Sequence, residues 1–207
     1  MPNAKRALIV VDIQNDFLPG GSLAVPTGTP VIAKAAALME KDWDAIVMTQ
    51  DWHPADHASF AANHEGKAVY DMIELAYGPQ VLWPVHCVEG TEGALFPAEL
   101  KDTKADIVIR KGRDRDIDSY SAFCAADGKT KTGLAGWLNE RGITDVFVCG
   151  LATDFCVSFT ALDAAKAGFK TTVITDASAA IDLNGSLEAA RRQWRQAGIV
   201  EVTTAEL

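Results

Sequence analysis

The chain has 207 residues, 48% hydrophobic and 23% charged, the balance of a soluble globular protein long enough to bury a sizeable core. A formal net charge of −9 argues against nucleic acid or an anionic membrane as the main partner. No apolar run exceeds strand length, and the N-terminus MPNAKRALIVVD enters a strand directly, without the features of a signal peptide, so a cytoplasmic protein is expected.

Ala7 to Ile13 (ALIVVDI) reads as a first buried strand. Thr29-Pro30 then offers an N-cap and a proline at the first helical position, opening a helix to about Lys41. Asp44 to Gln50 is a second strand. The stretch from Asp51 to Thr103, rich in Trp, His and Pro, is too particular for a linker and reads as an active-site insertion. Ala105 to Gly112 is a third strand. Lys131 to Arg141 is a helix with Leu134, Trp137 and Leu138 at helical spacing, closed by Gly142. A strand from Asp145 to Cys149, a helix from Val157 to Ala167, a strand from Lys170 to Thr175, a helix from about Ser186 to Ala197 and the run IVEVT complete the chain. Helix, glycine, strand recurs three times, and the strands lack polar alternation. They are therefore buried on both faces, which predicts one domain over residues 1–207: a three-layer α/β/α fold around a mainly parallel sheet of about six strands. Such sheets place ligands at the C-terminal ends of their strands.

Three groups with usable chemistry fall at those ends. Asp12 ends the first strand, Lys111 the third, and Cys156 follows the fourth near the start of a helix, where unpaired N–H groups are expected to lower a thiol pKa. A carboxylate beside the thiol can take its proton and deliver it to a leaving amine, and an ammonium favours both charged forms. Asp51 and His53, two apart in an extended segment, face one side and can converge on an ion. His86, in WPVHC, adds a third ligand. Two imidazoles and one carboxylate leave coordination positions open, which suits one divalent ion, Zn²⁺, Fe²⁺ or Mn²⁺. His57 stands as a fourth ligand or a residue behind the ligands, and His64 is expected to be solvated. The four cysteines show no CxxC pair and read as reduced thiols; Cys87, Cys124 and Cys149 are assigned to packing.

VVDIQNDF, TQDWHPADHASF, WPVHCV, IRKG with DSYSAF, and GLATDFCV resemble, in this order, the nicotinamidases among the isochorismatase-like cysteine hydrolases. With the alternating pattern that follows them, the likeness covers nearly the whole chain. It implies hydrolysis of nicotinamide to nicotinate and ammonia through a Cys156 thioester, in NAD salvage, with pyrazinamide as a further substrate. It implies that Asp12 carries the proton, Lys111 holds Asp12, and backbone N–H groups of Ala152 and Cys156 meet the oxyanion after a cis Leu151–Ala152 bond. Phe17, Trp83 and Tyr120 match aromatic positions that wall the ring, and the metal would hold the ring nitrogen. The metal motif separates this reading from relatives of the same scaffold that cleave carbamoyl or ureido substrates. No nucleic acid or membrane partner is expected, and monomer and homo-oligomer both stay open.

Overall fold

The structure, a computed structural model, describes residues 4–100 and 104–207. Its centre is a run of apolar strands: β1 (Lys5–Val11), β2 (Ala45–Asp51), β5 (Ile107–Lys111), β6 (Ile143–Leu151), β7 (Lys170–Ala179) and β8 (Val200–Val202). They form one six-stranded sheet in the order β5-β2-β1-β6-β7-β8, every pair parallel. Successive residues face opposite sides, and both sides are apolar. Ala7, Ile9, Val11, Val47, Val146, Val148 and Val173 share one core with residues of α2 (Leu134–Glu140), α3 (Ser158–Lys166) and α4 (Ser186–Ala197). Leu8, Val10, Ile46, Met48, Cys149 and Ile174 share the other with Val31, Ala35 and Leu38 of α1 (Thr29–Met39). Each fully buried Val, Leu, Ile or Met among them contributes about 1.5–3 kcal/mol. The expected three layers are therefore present, with the expected strand count.

The topology decides where a ligand can sit. From β1 the chain moves outward through β2 to β5, then returns to the opposite side of β1 as β6 and moves out again through β7 to β8. The reversal between β1 and β6 splays their connections apart and opens a crevice beyond their C-terminal ends. Gly150 brings the two strands together there. It has φ +121°, and a Cβ on it would lie 2.1 Å from the carbonyl oxygen of Val11.

Several boundaries differ from those expected. The N-cap of α1 is Gly28, with Thr29 already helical and no side-chain cap, and the helix ends at Met39. Helix α2 begins at Leu134 rather than Lys131, because Gly133 has φ +92° and Cys124 and Lys131 pair in a short bridge instead. The insertion holds 3-10 turns and a hairpin of β3 (Met72–Leu75) and β4 (Gly78–Val81). Its expected last residues, 101–103, lie outside the described residues. No helix among the described residues is long and apolar enough to cross a membrane.

Candidate active site

Asp12 leaves β1 with φ +45° and is fully buried. Its Oδ1 accepts the Thr49 hydroxyl proton at 2.6 Å, and its Oδ2 lies 2.8 Å from the Lys111 ammonium. Apart from that ion pair, Oδ2 has no hydrogen-bond partner among the described residues. Lys111, the last residue of β5, also donates to the Asp51 carboxylate and to the Ser119 carbonyl at 3.0 Å, and lies 3.5 Å from Cys156 Sγ. Cys156 itself sits in a π-helical turn, Thr153–Val157, that precedes α3, so the regular helix starts two residues after it. The Leu151–Ala152 peptide that leads into the turn is cis. Carboxylate oxygens of Asp12 and Asp51 and the Cys156 sulfur all lie within 4.8 Å of one another. The three strand-end groups are thus brought together as expected.

Their protonation differs from expectation in one respect. Burial pushes the Cys156 thiol well up, the Asp12 and Asp51 carboxylates push the same way, and Lys111 opposes them without prevailing. The expected lowering by a helix start does not occur, because Cys156 is 5% exposed and faces two acids. Burial also raises Asp12, to about 6, with Asp51 adding to the shift and Lys111 and Thr49 restraining it. For Asp51, burial would raise the carboxyl, but Lys111 and His53 outweigh it and hold the group below the ordinary carboxylate range. Lys111 keeps its proton: burial disfavours the charge, and Asp12 and Asp51 more than restore it.

Asp51, at the C-terminal end of β2, shares one space with His53 and His86; one donor atom of each lies within 4.8 Å of the others. Both imidazoles are oriented. His53 Nδ1 is 2.8 Å from the Gly112 carbonyl and His86 Nδ1 is 2.8 Å from the Pro84 carbonyl. A carbonyl only accepts, so each Nδ1 carries a proton and each ring, in its neutral form, offers its Nε2 lone pair, the arrangement found behind metal-binding histidines. His53 Nε2 faces Asp51 Oδ2 at 3.7 Å. Burial alone would lower the His53 pKa, yet Asp51 raises it, so the space between them attracts positive charge. Burial and the His53 charge hold His86 down at about 4, in the neutral form a metal requires. The donor set therefore fits a divalent ion held by Asp51, His53 and His86. His57, fully buried, leans on His53 with ring centroids 4.3 Å apart and planes at 42°; Ser59 donates its backbone N–H to Nδ1, and Nε2 has no hydrogen-bond partner among the described residues.

Phe17, Trp83 and Tyr120 line the same pocket, together with Ala152, Phe155, Asp118 and Ile181. Trp83 Nε1 donates to the Tyr120 hydroxyl at 2.8 Å, and Phe17 leans on His86 with centroids 5.4 Å apart. The free space enclosed is only about 20 Å³, roughly the room of one water. Sequence reasoning missed Thr49, although the alternation that pairs Asp51 with His53 puts Thr49 on the same face. It also missed Asp118 and Gln80, whose Nε2 donates to Asp118 Oδ2 at 2.8 Å; no local pattern marks either. His64, expected in solvent, is half-buried, with Nε2 2.7 Å from the Ala58 carbonyl.

Residues 6–206 match the isochorismatase domain family. The chain is 53% identical to a nicotinamidase of Acinetobacter baylyi over 201 residues, covering 97% of this chain and 94% of that protein. The solved structure of an Acinetobacter baumanii nicotinamidase and pyrazinamidase superposes with a TM-score of 0.96 at 52% identity, covering 100% of this chain and 99% of that one. A Pyrococcus horikoshii pyrazinamidase, solved in complex with zinc, superposes with a TM-score of 0.78 at 37% identity, covering 96% and 99%.

Proposed function

We infer that this chain, which belongs to the isochorismatase domain family, is a nicotinamidase that hydrolyses nicotinamide to nicotinate and ammonia and accepts pyrazinamide as well. The observation that carries the reading is the place of Lys111. Its ammonium touches Asp12 of the acid–thiol pair and Asp51 of the metal-type cluster, so the two sets form one centre. A carbamoyl or ureido hydrolase of the same scaffold would have no use for the Asp51, His53 and His86 cluster.

The reaction follows from the positions of the groups. Asp12 takes the thiol proton with Oδ2 as Cys156 Sγ attacks the carboxamide carbon. The backbone N–H groups of Ala152 and Cys156 meet the oxyanion, a contribution of about 3–4 kcal/mol per essential donor. Asp12 then returns the proton to the departing nitrogen, which leaves as ammonia, and a thioester remains on Cys156. Asp12 next draws a proton from the water that attacks this thioester, releasing nicotinate and restoring the thiol. Lys111 stays charged throughout and holds Asp12 in place. Asp51, His53 and His86 would hold a divalent ion, for which zinc is the first choice given the zinc-bound relative, and that ion would supply a Lewis acid for the ring nitrogen. Phe17, Trp83 and Tyr120 wall the ring. Phe155 and Ile181, both only partly buried, complete the wall. The chain works as one cytoplasmic domain, residues 1–207, with this insertion over its site; neither nucleic acid nor membrane is a partner, and both monomer and homo-oligomer are compatible with the site.

The test is ammonia release from nicotinamide by the metal-loaded protein. Cys156→Ala should lose at least about 10³-fold in kcat while still binding nicotinamide, since nothing else in the pocket can form the acyl intermediate. Activity retained by Cys156→Ala would sink the thioester route, and no ammonia from the unaltered protein would sink the substrate.

A further inference from the structure

Tyr120 borders more than the small pocket. It also lines a second cavity of about 580 Å³, within the size range of small-molecule sites and far larger than the space beside Cys156. The wall is built from four parts: the hairpin with Tyr77, the segment from Tyr120 to Lys131, Ala135 of α2, and helix α3 with the residue that follows it. Phe159, Asp163 and Lys166 fall at i, i+4 and i+7 of that helix and present one face to the cavity. Phe159 stacks on Tyr120 with centroids 5.1 Å apart and planes 30° from parallel, yet it is 45% exposed, an aromatic surface left open at the cavity wall.

Charge gives the cavity a sign. Lys131 Nζ reaches Cys124 Sγ at 3.2 Å and the Gly128 carbonyl at 3.5 Å, and among the described residues the Lys166 ammonium makes neither hydrogen bond nor ion pair. Neither ammonium meets a carboxylate among the described residues. Asp163 offsets one of them, which leaves the wall net positive on a chain whose net charge is −9. Open aromatic surface beside two cations that lack carboxylate partners is complementary to one kind of small molecule.

We propose that this cavity is a second binding site for a planar aromatic carboxylate, its ring on Phe159 and Tyr120 and its carboxylate on Lys131 and Lys166. The site is separate from the catalytic one except for their shared wall, and its existence does not depend on the reaction assigned above. Nicotinate is such a molecule, so an enzyme that makes it would meet its own product there.

Benzoate tests the proposal, because it has no ring nitrogen for a metal and no amide to cleave. Calorimetric titration of the metal-loaded full chain should show saturable binding of one benzoate. The Lys131→Met, Lys166→Met double variant should weaken it about tenfold, because both cations that meet the carboxylate are removed. Phe159→Ala should weaken it separately, and none of these changes should alter nicotinamide hydrolysis measured without benzoate. Absence of saturable binding would overturn the proposal, as would binding that survives both the double variant and Phe159→Ala. Benzoate binding is read without turnover, so a failure of the nicotinamidase reading would leave this result standing.

Discussion

Gly112→Ala tests the geometry of the metal-type cluster at its most confined point. Gly112 follows Lys111 with φ +64°, and its carbonyl accepts the His53 Nδ1 proton at 2.8 Å. A Cβ there would lie 2.3 Å from His53 Cε1 and 2.5 Å from Nδ1, so the ring must retreat by about 1 Å to reach ordinary contact. An L-residue in the left-handed region costs about 1–2 kcal/mol and overpacking about 1–3 kcal/mol, together roughly 2–5 kcal/mol. For a domain of this length that lowers Tm by about 4–20 °C. Displacing the hydrogen bond that orients a ligand histidine should weaken metal binding about 10- to 100-fold. Gly128→Ala supplies the control: its φ is +69°, and nothing lies within 4 Å of its Cβ position. It should show the backbone cost alone and bind metal normally. Thermal unfolding and competition for zinc against a chromophoric chelator measure both effects. If Gly112→Ala held zinc as tightly as Gly128→Ala, His53 could not be a ligand in the orientation described.

Two further predictions concern the buried acids. Asp12, raised to about 6, must be ionised to accept the thiol proton, so kcat/KM should fall about tenfold per pH unit below that value. Thr49→Val removes a hydrogen bond to the charged form, which raises the Asp12 pKa further, and the acid limb of the rate profile should move up by about one unit; an unmoved limb would mean that another group sets it. Lys111→Met leaves Asp12 and Asp51 without their shared cation and should cost about 3–5 kcal/mol in urea unfolding at pH 8. The folded-state pKa of Asp12 is then raised further above its unfolded value, so the folded state gains a proton first as pH falls, and the deficit against the unaltered protein should shrink between pH 8 and pH 6. A deficit that grew over that interval would show that Lys111 does not act through these carboxylates.

The layers of the fold were readable because buried strands and amphipathic helices have different periods, and glycine punctuates the change between them. Asp12, Lys111 and Cys156 were readable for a related reason: they interrupt apolar strands at the ends where open parallel sheets gather ligands. What escaped was whatever depends on two distant segments meeting. Gln80 reaches Asp118 across the fold from a short hairpin, and nothing local in Gly-Pro-Gln-Val marks it. Lys131 looked like the start of a helix, but a left-handed Gly133 breaks the run and Cys124 draws Lys131 into a bridge. The thiol pKa was misjudged for the same reason. A helix N-terminus is a local feature, whereas the burial and the two carboxylates that outweigh it come from the tertiary structure.

That reversal bears on the order of events at Cys156. A thiol held up by burial is protonated at rest, and Asp12, at about 6, is largely ionised at neutral pH. Separating a new charge pair in a dry pocket would be expensive. Moving the proton from sulfur to Asp12 separates none: a carboxylate and a thiol become a carboxylic acid and a thiolate, and the buried negative charge is only displaced. Lys111 Nζ lies 2.8 Å from Asp12 Oδ2 and 3.5 Å from Sγ, so the same ammonium stands beside the charge at both ends of the transfer. The thiolate then needs to exist only as the carbon–sulfur bond forms, when its charge passes to the oxyanion. A resting thiolate is therefore unnecessary in this site, and the acid–ammonium pair does the work that a lowered thiol pKa would do in an open one.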